Sequence, residues 1–409
     1  MTEHRFSPAD FPCRQPLTAE ELAGLKPDSL LVHGGQCRTS FQETSESPIM
    51  SSGYIYASAE EAEAAYLQDG WRFVYSRARN PTVKAFEDKM AVIEGYEHGF
   101  ATASGMAAVH VALMSLVKAG DRVVAPYALF GSCLYIVDQL LPRYGVEVEL
   151  IDGTDPAEWQ RALAKKTTLV FLETPANPTL EIIDLALVVK LAHAAGAKVI
   201  VDNVFATPIF QRCRDFGVDV VVYSATKHID GQGRALGGVI LCDTPIAKEI
   251  GPYIRNTGPS LSPFHAWIYL KSLDSLALRV RQQTSSAMQV AEFLSKNSHF
   301  LSVVYPGLAT HPQHELAKKQ MSGFGNMIAL TINGGRDAAF AFMNKLRLLV
   351  LSNNLGDSKS LLTHPFSTTH FRLSAAEKER AGITPGLLRL SVGLEDPQDI
   401  IHDIEKALG

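Results

Sequence analysis

The stretch Val218-Asp219-Val220-Val221-Val222-Tyr223-Ser224-Ala225-Thr226-Lys227 runs from an apolar strand into two hydroxyls and a lysine. Upstream, Lys198-Val199-Ile200-Val201-Asp202 closes another short apolar run with a carboxylate. Taken alone, each charge reads as an exposed strand-end residue. Taken together, an amine and an acid at the ends of two buried strands read as a pair assembled for chemistry.

The pair suits pyridoxal phosphate. The Lys227 amine can form a Schiff base with the cofactor aldehyde, while Asp202 keeps the pyridine nitrogen protonated so that the ring accepts electrons. The hydroxyls of Ser224 and Thr226 can bond phosphate oxygens. Around this pair, candidate strands fall at 99–102, 122–125, 147–150, 169–172, 199–201, 220–223 and 238–241, separated by helical stretches. That alternation predicts a mostly parallel seven-stranded sheet covered on both faces, with the site at the carboxyl ends of its strands.

The flanking segments complete an α/β chain. Residues 1–70 are rich in Ser, Thr, Glu and Pro and read as an irregular N-terminal arm. The first clear helix is predicted over 81–90, opening the large domain (71–262). A long amphipathic segment over 263–296 bridges to a smaller α/β domain (263–409), with strands at 326–332 and 388–392 and helices near 336–346 and 397–408.

Composition narrows the function. With 409 residues, 46% hydrophobic, 20% charged and a net charge of -5, the chain reads as an ordinary globular protein without a nucleic-acid footprint. No apolar run suits a membrane span or a signal peptide, so the cytoplasm is expected. Five cysteines without a CxxC pair (Cys13, Cys37, Cys133, Cys213, Cys242) and 13 histidines without metal-ligand spacing predict structural thiols and no metal; Cys133 alone stays open.

Ser104-Gly105-Met106 joins a strand to an apolar helix. The serine can be a plain cap, but with Lys227 downstream the free amides of that helix start better suit a phosphate. Gly231-Gln232-Gly233-Arg234 precedes a strand and has the wrong spacing for a dinucleotide loop. Tyr75-Ser76-Arg77 places a phenol and a guanidinium before the first helix; Arg77 suits either a phosphate or a surface or interface charge.

Six strings in order, YSRARNPT, ATASGMAA, ETPANPT, VDNVFATP, YSATKHIDGQGR and LRLSVGLED, resemble the trans-sulfuration family of pyridoxal-phosphate enzymes across nearly the whole chain. The resemblance implies fold type I, with Lys227 as the Schiff-base lysine and Asp202 at the pyridine nitrogen. It puts Ser104, Gly105, Met106, Ser224 and Thr226 at the phosphate, and Asn177 near the phenolic oxygen. Arg389 would clamp the substrate α-carboxylate. Tyr75 and Arg77 would reach the phosphate of a neighbouring subunit in a homotetramer.

Three features depart from the family's lyases and cystathionine synthases. Phe130 stands where a tyrosine usually stacks on the cofactor, so its ring can stack but not exchange protons. Asn354, a substrate-binding candidate, replaces a common serine, and Gly231-Gln232-Gly233-Arg234 replaces a histidine-containing sequence. All three resemble the branch acting on O-succinylhomoserine with sulfide in methionine biosynthesis, with Lys227 as the principal proton shuttle. The acetyl ester, a cystathionine synthase, a methionine γ-lyase and a non-catalytic relative are the alternatives. Arg79 or Arg234 could meet a distal carboxylate or be solvated, and His228 reads as structural.

Overall fold

The computed structural model describes residues 17–36, 38–67 and 72–409. Its larger sheet contains β1 (His98–Thr102), β2 (Arg122–Pro126), β3 (Glu147–Ile151), β4 (Leu169–Glu173), β5 (Lys198–Asp202), β6 (Val220–Ser224) and β7 (Gly238–Cys242). These seven strands are the ones anticipated, each lengthened by one or two residues. The order is β1-β7-β6-β5-β4-β2-β3; only β7 runs against its neighbours, pairing antiparallel with β1 and β6.

Alternate side chains along each strand supply two separate cores. Val170, Leu172, Val199, Val201 and Val221 face one layer of helices, whereas Leu169, Phe171, Ile200, Val220 and Val222 face the other. A sheet buried on both faces needs continuous apolar runs, which is why these strands lack a polar alternation. Among the crossover helices are Gly105–Met114, Pro156–Leu163 and Leu185–Ala194. From β2 the chain first goes outward to β3 and then returns to β4, β5 and β6 on the other side. The crevice between β2 and β4 is therefore a topological switch point, where open parallel sheets bind ligands.

The smaller sheet comprises β8 (Phe300–Val304), β9 (Met327–Ile332), β10 (Val350–Leu351), β11 (Leu361–Thr363) and β12 (Leu387–Ser391), in the order β10-β11-β12-β9-β8. Ile328, Leu330, Leu388 and Leu390 pack with Val290, Leu294, Ile400 and Ile404 in its core. β9, β12 and the helices Gly335–Lys345 and Pro397–Leu408 match the expectation. β8 escaped it because this edge strand exposes Leu301 and Ser302, and β10 and β11 because they are only two and three residues long.

The amphipathic bridge expected over 263–296 consists of two helices, Pro263–Leu273 and Leu276–Ser295. They part at Asp274-Ser275, where Asp274 accepts a 2.6 Å bond from the buried Lys89 ammonium and the Ser275 hydroxyl accepts from Arg279 Nε at 3.3 Å. The segment before residue 70 is less irregular than its composition suggests, since it holds the short helices Ala19–Ala23, Pro27–His33 and Ala59–Leu67. Leu31 is buried, Asp28 forms a two-pronged pair with Arg281 at 2.5 and 2.9 Å, and Trp267 Nε1 donates to the Glu46 carbonyl at 2.8 Å. The segment thus lies on the bridge helices.

Among the described residues, no helix is long and apolar enough to cross a membrane, and no group of three or more His, Cys, Asp or Glu is placed to hold a metal ion. Cys133, Cys213 and Cys242 are free and buried; Cys13 and Cys37 lie outside the described residues.

Candidate active site

Three strands end in the groups that matter. Asp202 closes β5, Glu173 closes β4 directly opposite it in the ladder, and Lys227 follows β6 by three residues. Burial pushes both carboxyl groups above their usual range, and the nearby Asp202 charge raises Glu173 further. Against that, Asp202 accepts a 3.1 Å bond from the Val204 amide, and Glu173 a 2.9 Å bond from the Phe130 amide.

Lys227 Nζ donates to Asn354 Oδ1 at 2.6 Å, linking the large sheet's lysine to the loop between β10 and β11. Burial, and secondly the charge of Arg389, pull its amine down to about 8, with Asp202 opposing the shift. An amine in that range is partly neutral near physiological pH and can act as nucleophile and base.

The helix Gly105–Met114 supplies an anion cradle. Ser104 caps it by accepting from the Ala107 amide at 3.1 Å, leaving the earlier first-turn amides, with the positive end of the helix dipole, for a ligand. Gly105 is required by close approach: a Cβ there would stand 2.5 Å from Ser224 Cβ and 2.7 Å from its hydroxyl. The glycine therefore brings the helix start against the end of β6, four chain positions or fewer from Lys227. Thr226 Oγ1 bridges the Gly237 amide and carbonyl at 3.2 and 3.3 Å, and Met106 Sδ lies 3.9 Å from the Cys133 thiol.

Arg389, on β12, is 2% exposed and has no ion pair among the described residues. Its Nη1 donates to Asn177 Oδ1 at 2.8 Å, and its Nη2 to the carbonyls of Asn353 and Asn354 at 3.0 and 3.2 Å. Its Nε is buried without a partner, as is Nε2 of His370. A guanidinium held by neutral oxygens keeps its full charge for an anion.

The remaining candidates separate. His228 Nε2 meets Asn326 Oδ1 at 2.8 Å, and burial pulls its ring down to about 4, so it ties the lysine loop to the smaller sheet as a neutral group. Arg234 pairs with the buried Asp230 at 3.0 Å and is committed there. Arg79 lies 5.9 Å from the Phe73 ring centroid. Arg77 stacks 5.5 Å from the Tyr75 ring centroid and donates to the Arg255 carbonyl; Tyr75 is 46% exposed. The structure does not join these two to the Lys227 cluster of the same chain.

Sequence reading passed over Glu173, although it closes Leu169–Leu172 as Asp202 closes Val199–Val201. It also passed over the support beneath Asp202. There Asn203 Nδ2 donates to the Tyr223 hydroxyl at 2.6 Å and to the Gln211 carbonyl at 2.7 Å, and Tyr223 donates to the buried Glu94. These partners lie far apart in the chain and carry no local signal.

The lysine amine, the strand-end carboxylate and the helix-start cradle closed by Gly105 against Ser224 together fit pyridoxal phosphate. The chain belongs to the Cys/Met metabolism family of PLP-dependent enzymes, which it matches over residues 28–409, and its architecture is the fold type I of such enzymes. It is 48% identical over 390 residues to a Mycobacterium tuberculosis protein named O-succinylhomoserine sulfhydrylase, covering 94% of this chain and 96% of that one. An L-methionine gamma-lyase of Fusobacterium nucleatum is 39% identical, covering 92% and 96%. Among solved structures, a putative O-acetylhomoserine (thiol)-lyase of Campylobacter jejuni superposes with a TM-score of 0.90 at 30% identity, covering 94% and 100%, and carries N'-pyridoxyl-lysine-5'-monophosphate.

Proposed function

We propose that the enzyme exchanges the succinyloxy group of O-succinylhomoserine for sulfide, giving homocysteine and succinate. The observation that carries this reading is the setting of Lys227. Its hydrogen-bond partner is the neutral amide of Asn354, and Phe130, on the neighbouring wall, has no hydroxyl. A carboxylate leaves as a stable anion without a proton, whereas a thiolate leaving from methionine needs a general acid. With phenylalanine rather than a phenol at position 130, the site therefore favours an ester. The name of the mycobacterial relative supports the same choice.

In this reading the bound cofactor supplies the electron sink for bond breaking along the substrate carbon chain. Arg389 fixes the substrate α-carboxylate with its fork, reinforced by the carbonyls of Asn353 and Asn354 behind it. Lys227 Nζ carries protons between the substrate α and β carbons, helped by an amine that titrates near 8. Asp202 would hold the proton on the cofactor's ring nitrogen. The helix start at Gly105 and Met106, with Ser104, Ser224 and Thr226, would hold the phosphate; Asn177 orients Arg389 by accepting from its Nη1, and Phe130 would stack against the ring.

Purified enzyme offered succinyl- and acetyl-homoserine, each with sulfide, cysteine or no thiol, tests the assignment. Homocysteine and succinate are expected with the succinyl ester and sulfide. Rapid keto-acid release without thiol, or faster turnover of methionine, overturns it in favour of a lyase.

The active unit in this proposal is a homotetramer of two catalytic dimers, with Tyr75 and Arg77 serving the neighbouring subunit's phosphate. The exposure of Tyr75 and the attachment of Arg77 away from its own Lys227 support this sharing. Arg77→Ala should retain cofactor poorly. Mixed with a Lys227→Ala variant, it should regain up to about a quarter of wild-type activity, the share set by chance pairing of two inactive subunit types. Verified mixed dimers without recovery would exclude shared sites.

A further inference from the structure

The groups described so far leave the far end of the substrate's acyl arm without a partner. The segment that leaves the site after His370 carries three cations, and each rests on an aromatic face. The guanidinium of Arg372 lies 5.4 Å from the Phe371 ring centroid, Lys378 Nζ 4.3 Å from that of Phe366, and the guanidinium of Arg380 4.8 Å from that of Tyr127.

Arg380 is placed best. Tyr127 is the first residue beyond β2, on the edge of the switch-point crevice, and three residues later Phe130 donates its amide to Glu173. The short helix Ala375–Arg380 folds back toward this wall: Lys378 Nζ reaches the Phe371 carbonyl at 3.4 Å, and Gly382 stands with its Cβ direction 3.5 Å from Thr179. At the other end of the segment, His370 feels the charges of both Arg389 and Lys378 and lies against Gly131. The segment thus runs from the carboxylate clamp to the wall of the crevice.

Arg380 is exposed and forms no ion pair within 4 Å with a described carboxylate. Of the two acids on its own helix, Glu377 accepts from the Ser374 amide at 2.7 Å while its carboxyl also feels the Arg380 charge, and neither it nor Glu379 forms an ion pair with Arg380. Stacking on the Tyr127 face orders the guanidinium while leaving its N–H edge open, the arrangement that receives a carboxylate in two prongs. Arg234 is committed to Asp230, and Arg79 rests on Phe73, away from the Tyr127 wall.

We propose that Arg380, steadied on Tyr127, binds the free carboxylate at the end of the acyl group and selects a dicarboxylic half-ester over an acetyl ester. This inference rests on the sulfhydrylase reading and extends it to substrate selection. An acetyl group ends in a methyl and has nothing for the guanidinium to hold.

The experiment compares wild type, Arg380→Ala and Arg380→Lys with sulfide and either ester, measuring kcat and KM separately. Arg380→Ala should raise KM for the succinyl ester about tenfold with kcat changed less than about twofold, and should move both constants for the acetyl ester less than about twofold. Arg380→Lys should recover part of the loss, because it keeps the charge but not the fork. Bound-cofactor absorbance and melting temperature should match wild type. Equal losses on both esters, or no loss on the succinyl ester in an otherwise active enzyme, overturn the role of Arg380 alone. A wild type that turns over neither ester with sulfide overturns the sulfhydrylase reading and this inference with it.

Discussion

Lys227→Ala is expected to lower kcat by about 10⁴-fold or more, because one side chain is assigned both covalent attachment and proton transfer. The fold should survive, since among the described residues the amine's only hydrogen bond is to the Asn354 side-chain amide. Borohydride reduction followed by peptide mass spectrometry should find the cofactor on residue 227 of the wild type and nowhere on the variant. A variant that kept substantial turnover, or wild-type cofactor attached at another lysine, would remove the assignment. The pH dependence follows from the same amine. With its value lowered to about 8, the neutral fraction rises tenfold per pH unit below that point and levels above it. The rate at which apoprotein captures added pyridoxal phosphate should follow that curve; a lysine near its ordinary value would keep climbing toward pH 10.

The second large effect is expected from Arg389→Lys. The substitution keeps the charge and loses the planar fork, so two charge-assisted hydrogen bonds collapse toward one. At about 1.5–3 kcal/mol for each such bond, kcat/KM should fall about 10- to 100-fold, chiefly through KM. Unchanged cofactor absorbance would accompany that result. If Arg389 only braces Asn177 and the β10–β11 loop, the variant should instead lose melting temperature and cofactor with little change in KM. The unpartnered Nε of Arg389 favours the clamp: a purely structural arginine this deeply buried would have its donors satisfied from within.

Much of this was legible because the relevant signals are local. A parallel sheet buried on both faces demands unbroken apolar runs, and the seven runs between residues 98 and 242 each became a strand. Asp202 and Lys227 stood out because a charge after such a run sits at a strand end, and strand ends in this topology converge. Gly105 was legible as a glycine at a helix start, although the reason for it, Ser224 at 2.5 Å, lies 119 positions downstream. The division of the amphipathic 263–296 segment into two helices was not legible, because the break at Asp274 meets a tertiary partner, the buried ammonium of Lys89. Glu173 was missed although its pattern was the same as that of Asp202; the signal was present and not used.

By itself, then, the sequence determined the α/β architecture, the strand-end positions of the lysine and the carboxylate, the glycine at a helix start and, through the order of its motifs, the family. Strand periodicity and strand-end chemistry are short-range properties that survive in a linear string. Only the tertiary structure decided what surrounds those groups: that Lys227 is held by Asn354, that Arg389 is braced by Asn177 and two carbonyls, that Arg234 is committed to Asp230, and that Arg380 lies on Tyr127. Each of these depends on which loops of the smaller sheet fold over the strand ends of the larger one, or on which buried charge finds its partner. Long-range packing sets both, and residue spacing does not encode it.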